Sequence, residues 1–261
     1  MRRARLSYLA LAALLCVALC CAGRASAVTT IRAKYGGGAS RSVVAYLPAR
    51  SSARPRPAVL FLHSHAGGRL EFAPAAETIA REGAIGVLVD YDIDALWPAQ
   101  PKQTRAAYRF VRAHRFAWNL EAKRIAIVGA SQGATLALQL GFGRYAASPL
   151  AVVSWSGVSD FAQVPAIVGS EMGCALADCP DSWTAASAAL LPPAPSLRSV
   201  QVVNGTHEYV PASQARGLDA HAAALGLDHE LTLWPCTCHG VAYAPGQWEL
   251  TDAFLRAELG F

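Results

Sequence analysis

Residues 124–134 read RIAIVGASQGA, and this stretch decides the fold. RIAIVG (124–129) is an apolar run typical of a strand buried on both faces, and ATLALQLG (134–141) has the apolar content of a helix. The GASQG between them matches G-x-S-x-G, in which small neighbours let strand and helix approach while a sharp turn projects the serine hydroxyl. We therefore predict that Ser131 is a nucleophile on a strand-to-helix turn. A serine that only caps the helix is the alternative interpretation.

Strand-like and helix-like patterns alternate on both sides of this stretch. This alternation predicts an α/β protein with a mostly parallel sheet, helices on both faces, and an antiparallel start. The predicted strands are 30–35, 42–49, 58–63, 84–91, 124–129, 150–157, 199–205 and 229–234, and the predicted helices are 72–83, 104–118, 134–141, 213–226 and 248–259.

Residues 158–198 interrupt the alternation. The segment contains proline and cysteine and is too long for a simple connection between two strands. Insertions of this kind are commonly lids or substrate-binding elaborations. We expect an insertion or lid-like segment here, within a single domain that spans residues 28–261.

The first 27 residues have the features of an export signal. They contain four arginines and no acidic residue, then an apolar run, and they end in Ala25-Ser26-Ala27, a small-x-small cleavage signal. We expect cleavage after Ala27 and export to a periplasm or the medium, without stable membrane insertion; a retained anchor helix is the alternative. Removing this segment lowers the net charge from +5 to +1, which does not favour nucleic-acid binding.

The loops at the carboxyl ends of the predicted strands supply a base and an acid. Ligands of such sheets meet these loops, and a serine hydroxyl needs a base to become nucleophilic. His239, in PCTCHG after the last strand, is the candidate base; Glu208, in NGTHEYVP after strand 199–205, is the candidate acid that orients it. Asp160 is the rival acid.

Backbone N–H groups near the serine are candidates for stabilising a developing oxyanion. The residue after the nucleophile, Gln132, offers an N–H at a helix N-terminus. The loop HSHAGG (63–68), which follows another buried strand, contains glycines that let backbone amides turn inward. We predict that the backbone N–H of His65 is the second donor.

Four cysteines remain after the signal segment, an even number that favours disulfides in an exported protein. They are Cys174, Cys179, Cys236 and Cys238. Since a Cys236–Cys238 bridge would close a very tight ring, we expect at least one bridge to tie the 158–198 insertion to the loop of His239. A four-thiolate zinc site is the alternative.

With Ser131, Glu208 and His239 in this order, the chain resembles the α/β-hydrolase superfamily over residues 40–260. The motifs FLHSHAGG, RIAIVGASQGA, NGTHEYVP and PCTCHG are most similar to its dienelactone-hydrolase-like and secreted-esterase branch, which is related to prolyl-oligopeptidase-like catalytic domains. The resemblance implies an eight-stranded sheet, a serine nucleophile, and no metal or organic cofactor. Two features depart from it: Glu208 stands where these families usually place aspartate, and HSHAGG where relatives often have HGGG.

These residues predict an exported serine hydrolase that cleaves carboxylic esters of small molecules through a Ser-His-Glu triad and an acyl-enzyme. Two alternatives remain open at this point. One is a serine peptidase or amidase of the prolyl-oligopeptidase-like type, which would use the same three residues. The other is a catalytically silent binding protein with the same fold.

Overall fold

The computed structural model describes residues 28–38, 41–49, 51–243 and 246–261. The expected signal segment, residues 1–27, lies outside the described residues. Within the described part of the chain, no helix is both long enough and apolar enough to cross a membrane.

Eight strands form one sheet in the order β1-β2-β4-β3-β5-β6-β7-β8. The first two strands and the β2–β4 pair are antiparallel, whereas the neighbours from β4 to β8 are parallel, so the prediction of a mostly parallel sheet with an antiparallel start is confirmed. The strands are β1 (Val28–Lys34), β2 (Ser42–Pro48), β3 (Arg56–Leu62), β4 (Ile85–Val89), β5 (Leu120–Ala130), β6 (Ala151–Trp155), β7 (Ser199–Gly205) and β8 (Asp228–Trp234).

Helices cover both faces of the sheet because its central strands present apolar side chains to both sides. Along β3, Leu60 and Leu62 belong to one apolar core and Val59 and Phe61 to the other, as the alternation of side chains along a strand requires. The helices are α1 (Ala73–Glu82), α2 (Ala99–Ala113), α3 (Gln132–Gly141), α4 (Pro165–Met172), α5 (Pro180–Ala186), α6 (Ala212–Ala224) and α7 (Gly246–Leu259). α2, α3 and α6 contribute to the first core, and α1 and α7 to the second.

The second helix differs most from its predicted bounds of 104–118. It begins five residues earlier, at Ala99, and ends at Ala113, after which the chain forms turns up to β5. Trp118 is only 5% exposed and packs on the core from these turns. Trp118 therefore continued the helical spacing of apolar residues in the sequence, and the predicted helix was too long at this end.

The 158–198 segment is a small folded layer between β6 and β7. It contains the helices α4 and α5, which the sequence pattern did not predict, and an apolar cluster of its own around Phe161, Met172 and Trp183. Cys174 and Cys179 form a disulfide within this layer.

The expected bridge between the insertion and the loop of His239 is wrong. Cys174 pairs with Cys179 and Cys236 with Cys238, with Cα–Cα distances of 6.3 Å and 5.3 Å, which lie within the usual range for disulfides. A bend after β8, where the Cys236 N–H donates to the carbonyl of Trp234 at 2.8 Å, accompanies the close approach of Cys236 and Cys238. Both cysteine pairs are therefore local, and neither joins the two loops.

Candidate active site

Ser131 lies on a sharp turn between β5 and α3. Its backbone has φ 53° and ψ −118°, a conformation that residues other than glycine rarely adopt. A Cβ at Gly133 would lie 2.1 Å from the carbonyl oxygen of Leu62, and one at Gly129 would lie 2.2 Å from that of Gly133. The two glycines are thus required by the close approach of β3, β5 and α3 that holds the serine at the carboxyl edge of the sheet.

The imidazole of His239 joins Ser131 to Glu208. Its Nε2 lies 2.8 Å from the Oγ of Ser131, and its Nδ1 hydrogen-bonds to the Oε2 of Glu208. The Glu208 side chain is completely buried, whereas that of His239 is 32% exposed. Three residues distant in the sequence therefore form one hydrogen-bonded chain with its serine end toward the pocket.

The buried carboxylate of Glu208 is held by three donors besides His239. Its Oε1 accepts hydrogen bonds from the Gly205 N–H at 2.6 Å, from the hydroxyl of Ser156 at 3.0 Å, and from the phenol of Tyr243. Burial and, after it, the hydrogen bond to Glu208 raise the pKa of Tyr243 above its usual value, so the phenol keeps the proton that it donates. These bonds compensate the cost of burying an ionised carboxylate and fix its second oxygen toward His239.

Asp160, the rival acid, is placed differently. Its carboxylate accepts hydrogen bonds from the backbone N–H of Ala162 at 3.1 Å and from Gln163 Nε2 at 2.8 Å. It therefore caps the short 3₁₀ helix Phe161–Gln163 and makes no hydrogen bond to His239 within the described residues.

The predicted oxyanion donors are the backbone N–H groups of Gln132 and His65, and both residues line the pocket beside Ser131. Gln132 is the first residue of α3, where the N–H has no partner in the preceding turn of the helix. The loop of His65 is held by Glu71, whose carboxylate accepts hydrogen bonds from the N–H and the hydroxyl of Ser64, both at 2.6 Å. The Ser64 hydroxyl in turn accepts from the Gly67 N–H at 3.0 Å.

A pocket of about 310 Å³ opens beside the serine. One wall comes from the carboxyl ends of the strands and the loop of Glu208, and the other from α4 of the insertion. Its lining residues are His65, Ser131, Gln132, Thr135, Ser156, Val158, Ile167, Val168, Glu171, Tyr209 and Val210. The volume suits a small organic molecule.

Three polar residues of this region were not predicted from the sequence. Ser156 and Tyr243 hold Glu208, and Glu171 of α4 lines the pocket. Ser156 directly follows β6, so a search of every strand's carboxyl end for hydroxyl groups could have found it. The other two are brought in by the packing of the insertion and of the segment before α7, for which no spacing rule exists.

No group of three or more His, Cys, Asp or Glu side chains suited to a metal ion occurs within the ranges that the structure describes. The polar groups at the site are a hydroxyl, an imidazole, carboxylates and backbone amides. Such a set can move a proton, attack an electrophilic carbon and stabilise an oxyanion.

The strand order together with the serine turn defines the α/β-hydrolase fold, as the sequence motifs predicted. The family model described as BD-FAE matches residues 45–172, a region that includes Ser131 and α4. No curated protein shows significant sequence similarity to the chain.

Solved structures show the same fold at low sequence identity. A truncated carbohydrate esterase from gut microbiota has a TM-score of 0.74 and 17% identity, covering 92% of this chain and 99% of its own. An acetyl ester-xyloside bifunctional hydrolase from Caldicellulosiruptor lactoaceticus has a TM-score of 0.70 and 18% identity, covering 83% and 87%. Esterase 2 of Thermogutta terrifontis, phosphoramylated by tabun, has a TM-score of 0.69 and 19% identity, covering 88% and 94%.

Proposed function

We propose that this chain is a serine hydrolase that cleaves carboxylic esters through an acyl-enzyme. The observation that carries the proposal is the hydrogen-bonded chain from the Ser131 hydroxyl through His239 to the buried Glu208. A serine, a base within hydrogen-bond reach and a buried acid that orients the base are the groups that nucleophilic acyl transfer requires.

In the proposed reaction, His239 takes the proton of Ser131 as the Oγ attacks the ester carbonyl. The tetrahedral oxyanion accepts hydrogen bonds from the backbone N–H groups of Gln132 and His65. His239 then gives its proton to the departing alcohol, which leaves Ser131 acylated. A water molecule, deprotonated by His239, attacks the acyl carbon, the bond to the Ser131 Oγ breaks, and His239 returns the proton to this oxygen as the acid leaves.

Glu208 performs two tasks in this mechanism. Its hydrogen bond to Nδ1 holds the imidazole in the tautomer whose Nε2 can accept the serine proton, and its charge stabilises the imidazolium that forms. The donors from Gly205, Ser156 and Tyr243 hold the other carboxylate oxygen, so Glu208 is oriented before the reaction begins.

The activities named for the structural neighbours support an ester substrate. They include those of a carbohydrate esterase, an acetyl ester-xyloside hydrolase and an esterase that reacts with an organophosphate. By analogy we propose small-molecule esters as substrates of this chain. We also propose that it belongs to the dienelactone-hydrolase-like and secreted-esterase branch, on the strength of FLHSHAGG and NGTHEYVP.

Export is part of the proposal. The N-terminal segment has the charge pattern and the small-x-small site of a cleaved signal, and the four cysteines of the rest of the chain are paired as disulfides. Disulfides of this kind persist in oxidising compartments. N-terminal sequencing of the protein from a native host should begin at Val28 if cleavage follows Ala27.

A fluorophosphonate probe and short p-nitrophenyl esters test the activity directly. The probe should form an adduct that maps to Ser131, and the esters should be hydrolysed. Ser131→Ala should form no adduct and lose at least about 10³-fold in kcat, since removing a triad nucleophile leaves only binding and oxyanion stabilisation. A catalytically silent binding protein would show no adduct in the unchanged protein, and that result would overturn the proposal.

The same assay distinguishes an esterase from a peptidase. A peptide p-nitroanilide is compared with a p-nitrophenyl ester for the unchanged protein and for Ser131→Ala. We expect ester turnover to exceed amide turnover strongly. Equal turnover of the two, both lost in Ser131→Ala, would favour the peptidase or amidase over the esterase.

A further inference from the structure

The pocket beside Ser131 contains one carboxyl group that the proposed reaction does not use. Glu171 lies on α4 of the insertion and is the only acidic residue among the lining side chains in the described structure. It lies across from Gln132, whose backbone N–H is the proposed oxyanion donor. A full charge so near a developing oxyanion opposes catalysis unless a partner compensates it, so this residue needs an explanation.

Glu171 is weakly paired within the protein. Among the described residues, its carboxylate accepts a single hydrogen bond, from the Nε2 of Gln132 at 3.4 Å. Burial raises its pKa, against smaller opposing effects of His65 and of the hydrogen bond from Gln132. Two carboxylate oxygens can accept about four hydrogen bonds, so most of the accepting capacity of Glu171 is free for a ligand.

A small alcove shares part of its lining with this pocket. The alcove has a volume of about 10 Å³, which is roughly the room that one oxygen atom needs. It shares Gln132, Thr135 and Glu171 with the larger pocket, and Trp97 and Gln139 also line it. The alcove therefore lies directly beside the pocket of Ser131.

Three buried polar atoms of the alcove residues have no hydrogen-bond partner in the described protein. They are the Nε1 of Trp97 and the Oε1 atoms of Gln132 and Gln139. The side chains of Gln132 and Gln139 are themselves deeply buried, with 6% and 3% exposed. Unpaired buried polar groups are rare in folded proteins, so three of them on residues that line one alcove indicate a position for a polar ligand.

The balance of donors and acceptors identifies the chemistry of that ligand. Glu171, Gln132 and Gln139 offer acceptors, whereas the indole N–H of Trp97 is a donor. A hydroxyl group satisfies both kinds, because it donates one hydrogen bond and accepts others. An ammonium group only donates and would leave the Trp97 N–H unpaired, and an alkyl group would satisfy neither.

We infer that Glu171, Gln132 and Trp97 form a subsite that binds a hydroxyl group of the ester substrate. The hydroxyl donates to the carboxylate of Glu171 and accepts from the Nε1 of Trp97, with the ester carbonyl at Ser131. This inference rests on the proposed function for the bond that is cleaved, and it adds that the substrate is hydroxylated on the part that enters the insertion side of the pocket. Glu171 is thereby a specificity-determining residue.

Isosteric pairs of esters test the subsite. Propyl butyrate is compared with 2-hydroxyethyl butyrate, in which a hydroxyl replaces the terminal methyl of the alcohol, and with propyl 3-hydroxypropanoate, in which it replaces that of the acyl chain. We expect the unchanged protein to prefer one hydroxylated ester over propyl butyrate in kcat/KM. Glu171→Met should reduce that preference about 10-fold or more, while hydrolysis of propyl butyrate persists. The pair that responds shows which half of the ester enters the subsite.

Two further variants and a control isolate the contributions of Trp97 and Glu171 to the preference for the hydroxylated ester. Trp97→Phe removes the indole N–H and should weaken the same preference, whereas Glu171→Gln keeps an acceptor and should retain part of it. Glu249→Met removes one exposed carboxylate on α7 and should leave the preference unchanged. Circular dichroism and the melting temperature of each variant show whether it is folded.

A binding measurement separates this inference from the proposed function. NMR titrations measure the binding of the three esters to Ser131→Ala and to the double variant Ser131→Ala/Glu171→Met. Because both variants lack the nucleophile, binding is measured without turnover. Weaker binding of the hydroxylated ester alone in the double variant supports the subsite even if the unchanged protein hydrolyses no ester. Equal binding of hydroxylated and plain esters, or an equal loss for all three, would overturn it and indicate that the alcove holds only a structural water.

Discussion

At the scale of the residue, the acid that we propose for the site is a glutamate. Glu208 follows β7 by only three residues, and the extra methylene carries one oxygen to His239 while the other remains among the donors of Gly205, Ser156 and Tyr243. An aspartate at the same backbone position would be shorter by one carbon–carbon bond and could not reach both sets of partners without a backbone shift. The surrounding donors are thus matched to glutamate.

Replacing the acid distinguishes Glu208 from Asp160. Glu208→Gln keeps the shape but no longer holds His239 in its reactive tautomer, so kcat should fall by about 10⁴-fold. Asp160→Asn removes a carboxylate that caps a 3₁₀ helix and should leave kcat within about threefold, with a loss of stability of about 1 kcal/mol or less. Steady-state hydrolysis of p-nitrophenyl butyrate is the measurement; comparable losses for the two variants would refute the assignment.

Tyr243→Phe tests how much the hydrogen bond from Tyr243 contributes to holding Glu208 in place. The variant deletes a donor to a buried charge, which typically contributes about 1.5–3 kcal/mol, and it also removes one of the two acceptors of the Gly205 N–H, at 2.7 Å, while Glu208 remains as the other. We expect a lower free energy of unfolding and a smaller kcat, with KM little changed, because the substrate pocket is untouched. An unchanged kcat in the folded variant would show that the other donors suffice.

At the scale of the element, close contact between β3, β5 and α3 decides where the serine lies. Gly133 packs its Cα against the carbonyls of Leu62 and His63, so the first turn of α3 lies directly on the end of β3. The sequence signals this contact through its run of small residues. It does not signal the helices of the insertion, since α4 and α5 are short and their apolar side chains pack on each other.

Two glycine substitutions on helices should have opposite effects. Gly133→Ala places a methyl group 2.1 Å from the carbonyl oxygen of Leu62 and should destabilise the protein by about 3 kcal/mol or more, because backbone cannot easily yield. Gly217→Ala on α6 meets nothing within 4 Å and should stabilise it by about 0.5–1 kcal/mol. Urea unfolding measures both; equal effects would contradict the contact.

Peptide mapping tests the two local disulfides. Trypsin cleaves after Arg144, Arg198, Arg216 and Arg256, so Cys174 and Cys179 fall in one peptide and Cys236 and Cys238 in another. Without reductant, each peptide should appear separately, lighter than its reduced form by two hydrogen atoms. A single cross-linked species that contains both peptides would instead restore the bridge between the insertion and the loop of His239.

At the scale of the whole molecule, the parallel strands bring the site together. β5, β6, β7 and β8 are consecutive neighbours, so Ser131, Ser156, Glu208 and His239 leave the sheet at the same edge. The loops of Glu208 and His239 also contact each other, since the His207 N–H donates to the carbonyl of Cys236 at 3.1 Å. The two loops are therefore joined by a backbone hydrogen bond as well as by the side chains of Glu208 and His239.

Buried tyrosines make the stability of the whole fold decrease at alkaline pH. Burial raises the pKa of Tyr108 to about 12, although Arg112 opposes the shift, and its phenol donates to the carbonyl of Ser148 at 2.7 Å. Above pH 10 the unfolded chain loses this proton while the folded chain keeps it, so stability falls as the pH rises toward 12.

We expect Tyr108 alone to lower the free energy of unfolding by about 2 kcal/mol between pH 9 and pH 11.5. In Tyr108→Phe this part of the pH dependence should be absent, although the variant starts from a lower stability because the hydrogen bond is lost. Urea unfolding at several pH values, with both proteins measured in parallel, provides the test. Identical slopes would show that Tyr108 does not carry the effect.

The sequence by itself determined the alternation of strands and helices and the turn that presents Ser131, and it predicted His239 and Glu208 as the partners of this serine, with Asp160 as the rival acid. These features are local: apolar periodicity and small residues act over a few positions, and parallel strands place their carboxyl ends together by rule. Only the tertiary structure decided the cysteine pairing, the donors around Glu208, and the position of Glu171 across from Gln132. These contacts depend on how the insertion and the last loop pack over the sheet, and packing between elements leaves no periodic trace in the sequence.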